Sequence, residues 1–157
     1  MNNIMKNNKI KKNILRIVLL ILILCWMYVV FGFSNADGEE SAGLSAKIAR
    51  LFVKNEMYVK FAEGIIRKLA HLTEYAIGGI LIYSFVLTYK LRSKLQFIFS
   101  WLFVIAYAIT DEVHQLFIPG RTGRIVDVYI DALGALIGIC GVLFIMKILE
   151  NRNNNIK

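Results

Sequence analysis

Apolar positions gather into four runs, Ile14–Phe33, Leu69–Tyr89, Leu95–Thr110 and Val126–Met146, separated by segments dense in Lys, Arg, Asp, Glu and Asn. The first run is broken only by Arg16 and is long enough for one helix to cross a hydrocarbon core of about 30 Å. Arg16 stands in its first turn, where a long side chain can snorkel to the polar boundary. A cleaved signal peptide competes for the same run, with Lys6, Lys9, Lys11 and Lys12 as its basic region and Ser34-Asn35-Ala36 as a small-residue cleavage site. The run is longer than the apolar core of about 7–15 residues usual in such signals, which favours a membrane span. Between the first two runs, Ser41–Lys68 is too charged to cross, yet Leu44, Ile48, Leu51 and Phe52 recur at helical spacing with Lys47, Arg50 and Lys54 between them. That pattern predicts an amphipathic helix on the outer surface or a short helix packed over the bundle.

The fold class that follows is all-α: a polytopic membrane protein of four transmembrane helices, with an outer-surface amphipathic helix between the first and second. Residues 1–13 read as a basic cytoplasmic segment, 14–149 as the membrane domain and 150–157 as a polar cytoplasmic tail. Asn151–Lys157 lacks a periodic pattern and is expected to fray.

Composition agrees with a lipid environment. The chain has 157 residues, 57% hydrophobic and 19% charged, with mean hydropathy +0.58, whereas soluble domains are about 45–50% apolar and about 25% charged. Disorder is excluded by that hydrophobicity, and a disulfide scaffold by having only Cys25 and Cys140, each inside an apolar run. Both cysteines read as buried apolar thiols, and a bridge between them requires the first and fourth helices to adjoin.

A net charge of +8 does not indicate nucleic acid, because the basic residues cluster at the ends of apolar runs rather than on one soluble face. With the N-terminus in the cytoplasm, the inner side carries 11 basic residues and one acid, Glu150, and the outer side 8 basic and 10 acidic. This is the positive-inside asymmetry. It predicts a multi-pass plasma-membrane protein with both termini cytoplasmic and membrane lipids as its immediate partners.

The uncharged parts of the last three runs, Tyr75–Tyr89, Leu95–Thr110 and Ala132–Met146, are 15, 16 and 15 residues long and span only about 22–24 Å at about 1.5 Å per residue. Flanking polar residues must therefore enter the membrane. At the outer ends these are His71, Glu74, Asp111, Glu112, His114, Gln115, Asp127 and Asp131. Charge at that depth costs about 2.5–3.5 kcal/mol on insertion scales and usually faces the bundle interior, where it pairs or marks a functional path. Helical spacing puts His71, Glu74, Tyr75, Gly78 and Gly79 on one stripe, Asp127, Asp131, Gly134 and Gly138 on another, and Tyr107, Asp111 and His114 on a third. Small residues in two of these stripes allow close helix approach. Simpler readings exist for each piece: His71 and Glu74 as a hydrogen-bonded pair at a helix start, Asp111–Gln115 as a solvated helix end, Pro119-Gly120 as a turn, Arg121 and Arg124 as headgroup anchors.

Three blocks resemble the VanZ-like family, bacterial membrane proteins named for a component of a glycopeptide-resistance cluster. They are Phe33-Ser34-x-x-x-Gly38-Glu39-Glu40-Ser41, Arg67-Lys68-x-x-His71-x-x-Glu74-Tyr75, and Asp111-Glu112-x-His114-Gln115-x-x-x-Pro119-Gly120-Arg121-x-Gly123-x-x-x-Asp127-x-x-x-Asp131-x-x-Gly134. The first departs from the family pattern, since a glutamine common two residues after the serine is Ala36 here. The resemblance implies four transmembrane helices and, for the namesake, reduced sensitivity to teicoplanin-type glycopeptides.

Two functions compete. In the first, His71, Glu74, Asp111, His114, Asp127 and Asp131 hold a divalent metal ion, Arg121 neutralises a phosphate or balances the acids, and a histidine or carboxylate acts as general base on a lipid-linked cell-wall precursor. In the second, the same cluster holds a glycopeptide, a lipid headgroup or a partner membrane protein without catalysis. No nucleophile motif marks an enzyme. Proton transport is weaker still, because the inner halves of the spans carry no ionisable group beyond Arg16.

Overall fold

The computed structural model describes residues 2–155, with side chains from Met5 onward. It consists of five helices: α1 (Asn2–Asn35), α2 (Gly38–Phe52), α3 (Glu56–Leu87), α4 (Ser93–Gln115) and α5 (Ile125–Asn154). Four of them, all but α2, are long and apolar enough to cross a membrane, and the chain is a four-span membrane protein. Large apolar side chains such as Ile17, Leu24, Phe103 and Phe144 stand exposed around the bundle, as a lipid-facing surface requires.

Each span runs past its apolar run. The segment from Glu56 to Lys68 is continuous with α3, whose start is capped by Asn55 accepting a hydrogen bond from the Met57 amide at 3.0 Å. α3 has 32 residues, or about 48 Å of helix, so its first turns project beyond the hydrocarbon beside α2. α4 continues through Asp111–Gln115. α5 continues through Asn154, so the expected fraying of the tail is not observed as far as Asn154; without Pro or Gly in Asn151–Asn154, nothing breaks the helix. Ile156 and Lys157 lie outside the described residues.

α2 is the amphipathic helix, starting from Asp37, which accepts from the Glu40 amide at 2.7 Å. It packs against α3, with Ser45 and Ala49 buried beneath it, and thus lies over the bundle. Arg50 bridges to Glu56 with two 3.2 Å bonds across the α2–α3 joint.

The most extensive helix contact is between α3 and α5. A side chain on Gly134 would strike the Leu72 carbonyl, one on Gly138 the Ala76 carbonyl, and one on Gly79 the Ala135 carbonyl, so glycines set how closely these helices approach. α1 lies on α3 and α4. Trp26 enters the core there, donating to the Glu74 carbonyl at 2.8 Å and meeting Tyr75 edge-on at 5.9 Å. Contrary to expectation, Cys25 and Cys140 are free and exposed. In a membrane the apolar surface points to lipid as readily as to the core, so apolar surroundings in sequence do not imply burial.

Candidate functional site

The α2 end of the bundle brings together polar groups from four helices and the α4–α5 turn. A cavity of about 800 Å³ opens there. Val29, Val30, Phe33 and Leu44 of α1 and α2 give it an apolar wall; His71, Glu74, Asp111 and Gln115 of α3 and α4 face them. Lys47, Arg67 and Arg121 also line it, as do Glu40 and the hydroxyls of Ser34, Ser41 and Ser45, so its polar lining is mixed in charge. Trp26, Tyr75 and Tyr107 form an aromatic cluster at this end of the core, with Trp26–Tyr107 centroids 5.2 Å apart and the Tyr107 hydroxyl donating to the Met27 carbonyl at 2.6 Å.

At the edge of the cavity stands a trio of which Glu112 and Asp131 are buried and His71 is partly exposed. The Nδ1 of His71 is 3.2 Å from Asp131 Oδ1, and ligand atoms of His71, Asp131 and Glu112 all lie within 4.8 Å of one another. Asp131 is 0% exposed and Glu112 5%. Glu112 Oε2 accepts the Arg124 amide at 2.7 Å, which ties the start of α5 to α4. The remaining oxygens, Asp131 Oδ2 and Glu112 Oε1, are buried with no hydrogen-bond partner, as are Ser34 Oγ, Tyr75 OH and His114 Nε2. An unpartnered buried polar atom costs about 1–3 kcal/mol, so five at one end of a small bundle call for an explanation.

The other expected site residues take separate places. Asp111 accepts from Gln115 Nε2 at 3.1 Å and is buried, so the solvated-helix-end reading fails for Asp111 and Glu112. Glu74 faces the cavity and makes no side-chain bond to His71, whose partner is on α5. His114 turns to α1, its ring stacked on Phe31 at 4.7 Å. Asp127 is half-buried in the first turn of α5.

Arg121 departs most from its expected role. It does not pair with a carboxylate: Nη2 donates to the Phe33 carbonyl at 2.7 Å, Nε to the Ala36 carbonyl at 3.0 Å, and Nη1 reaches Gln115 Oε1 at 3.5 Å. The last carbonyls of a helix have no intrahelical donor and attract a cation, so the fork caps the end of α1. Burial, then the nearby positive charge of Arg67, pulls its pKa below the ordinary arginine value. The α4–α5 turn is fastened to the same corner by the Gly38 amide, which donates to the Pro119 carbonyl at 3.1 Å. Gly120 takes φ +72° there, a side chain on Gly38 would strike the Gly120 carbonyl, and glycine is the residue for both demands.

The VanZ/LLP1 family model matches residues 19–148, which includes the whole cavity lining and the trio. The chain belongs to the VanZ/LLP1 family. Neither the curated proteins nor the solved structures contain a match to it. Within this VanZ/LLP1 chain, the blocks that carry the resemblance meet in space: Gly38 touches Gly120, and His71 touches Asp131.

Arg67 and Lys47 of the cavity lining were not singled out by sequence reasoning as site residues. Arg67 had a visible signal, since it precedes His71 by one helical turn and so shares its face. Lys47 had none, because only the docking of α2 brings it over α3.

Proposed function

We propose that the cavity takes the anionic headgroup of an envelope amphiphile, a lipid-linked phosphate of the cell-wall precursor type, with the α2 end at the outer face of the plasma membrane and both termini in the cytoplasm. The observation that carries this reading is the mixed lining: apolar Val29, Val30, Phe33 and Leu44 share the cavity with the cations Lys47, Arg67 and Arg121, the acids Glu40, Glu74 and Asp111, and His71. A molecule that matches it has an apolar part, an anionic group for the two cations, and hydroxyl or amide groups for the carboxylates. Arg67, not Arg121, is the cation for the phosphate, since the Arg121 fork is engaged by backbone carbonyls. His71 and Glu74 stand where a general base is needed if the headgroup reacts.

The test is binding of a short-chain polyprenyl phosphate to the full chain in nanodiscs, with phosphatidylcholine as background lipid. Saturable binding that weakens at least about tenfold in Arg67→Ala, worth about 1.4 kcal/mol, is the expected result; binding no stronger than that of the uncharged polyprenol removes the proposal. The second reading, a non-catalytic protein that lowers teicoplanin sensitivity by holding the drug or a precursor, uses the same cavity. It is separated by turnover: His71→Gln abolishes a chemical step but can leave binding and a sensitivity phenotype.

A further inference from the structure

The trio shares only His71 with the lining that the headgroup would meet. His71 borders the main cavity, Glu112 borders a second, more apolar groove between α4 and α5 with Ile109, Val113 and Val128, and Asp131 borders neither. The trio therefore bridges the two, with His71 on the cavity side and Glu112 on the groove side. Its two free oxygens, Asp131 Oδ2 and Glu112 Oε1, are buried and lack any donor.

The arginines around them do not supply one. Arg121 is bonded to Phe33 and Ala36, and the Arg124 side chain turns to Thr122 Oγ1 at 3.2 Å, offering Glu112 only its backbone amide. Arg67 lines the main cavity. A buried carboxylate pair without a cation is costly, and here an imidazole nitrogen lies within the same few ångströms.

The geometry points to a divalent metal site formed by His71 of α3, Glu112 of α4 and Asp131 of α5. One imidazole and two carboxylates suit a borderline ion of the zinc–manganese class better than magnesium or calcium, which take all-oxygen shells. Three protein ligands leave at least one position open. Around an ion at about 2.0–2.2 Å the ligand atoms stand about 3.3–3.6 Å apart, so small side-chain rotations contract the present trio onto it. Such an ion gives both free oxygens a partner and links α3, α4 and α5 at one point. The site stands whether or not the cavity takes a lipid.

The full chain is purified in detergent, stripped with chelator and titrated with Zn2+ and Mn2+ against a chromophoric competitor, with thermal unfolding followed in parallel. One ion per chain is expected, with a thermal midpoint that rises on loading and falls back on chelation. His71→Asn, Glu112→Gln and Asp131→Asn each weaken the ion at least about a hundredfold, beyond the usual cost of losing an outer-shell partner, and remove the thermal response. Glu39→Gln, exposed on α2, behaves as the parent. Because Glu112→Gln and Asp131→Asn keep shape, a folded variant that has lost the ion supports the site. Absence of a stoichiometric ion in the parent, equal binding by all three variants, or binding of Mg2+ or Ca2+ as tight as that of Zn2+ and Mn2+ overturns it.

Discussion

The two ends of the bundle use polar side chains in opposite ways. At the end bearing Thr88, Arg16 donates to Thr88 Oγ1 at 3.0 Å and to its carbonyl at 2.9 Å, and lies 4.1 Å over the Tyr89 ring. Gln96 donates to the Tyr89 carbonyl, Ser100 to the Gln96 carbonyl, and Thr88 to the Phe85 carbonyl. None of these side chains is among the buried atoms left without a partner; among the described residues those atoms, on Ser34, Tyr75, Glu112, His114 and Asp131, lie towards the α2 end. Polar groups at the Thr88 end tie α1 and α4 to the end of α3 through bonded side chains. Those at the α2 end are costly on their own account, which sets them apart from the structural joints at the Thr88 end and motivates the proposed site.

The strongest way to break this contrast is Asp131→Ala. It removes the centre of the trio, and a phenotype conferred by the parent, such as a shift in teicoplanin sensitivity, is expected to disappear while membrane insertion, checked by fractionation, stays unchanged. Full activity in this variant would make the α2 end no more functional than the other.

A smaller effect is expected at the corner that holds the cavity open. Gly38→Ala presses a methyl group onto the Gly120 carbonyl and should cost about 1–3 kcal/mol in unfolding free energy. Arg121→Ala frees the end of α1. Hydrogen exchange should speed up over 33–41 in both variants, and Arg121→Lys, which replaces the fork by a single ammonium, should fall between Arg121→Ala and the parent. Unchanged exchange in Arg121→Ala would mean that the fork is not what fastens the corner.

Arg16→Ala sharpens the comparison from the other side. It should lower thermal stability by about 1–2 kcal/mol through the lost bonds to Thr88 and the lost stacking on Tyr89, without changing the phenotype. Loss of function at parental stability would put a second site at the Thr88 end. The smallest effect belongs to Cys25→Ala with Cys140→Ala, both lipid-facing, at under about 0.5 kcal/mol. In that background, single cysteines at Thr122 and Ser93, both exposed, should react with an impermeant reagent from outside and inside respectively; the reverse pattern would invert the proposed orientation.

Much of the fold was legible because lipid imposes a one-dimensional constraint. A chain that must keep apolar side chains over about 30 Å shows its spans as runs, and the shortness of three runs at the same end placed His71, Glu74, Asp111, Glu112 and Asp131 at similar depth. Periodicity also put Gly134 and Gly138 on the face that meets α3. It could not bound the helices, because Glu56–Lys68 is interrupted by charges and Asp111–Gln115 is largely polar, yet both stay helical, helped by caps and by neighbours.

The sequence by itself determined the number of spans, the surface helix and the concentration of ionisable groups at one end, since each follows from residue type and spacing along one chain. Only the tertiary structure decided which of those groups meet. His71 finds Asp131 60 positions away rather than Glu74 one turn away, His114 turns from the acids to Phe31, and Arg121 crosses 88 positions to the Phe33 carbonyl instead of a carboxylate. Such pairings depend on the rotation of each helix about its axis and on the docking of the α4–α5 turn against the α1–α2 corner. Those are set jointly by glycine contacts and backbone hydrogen bonds between distant segments, and no local pattern in the sequence encodes them.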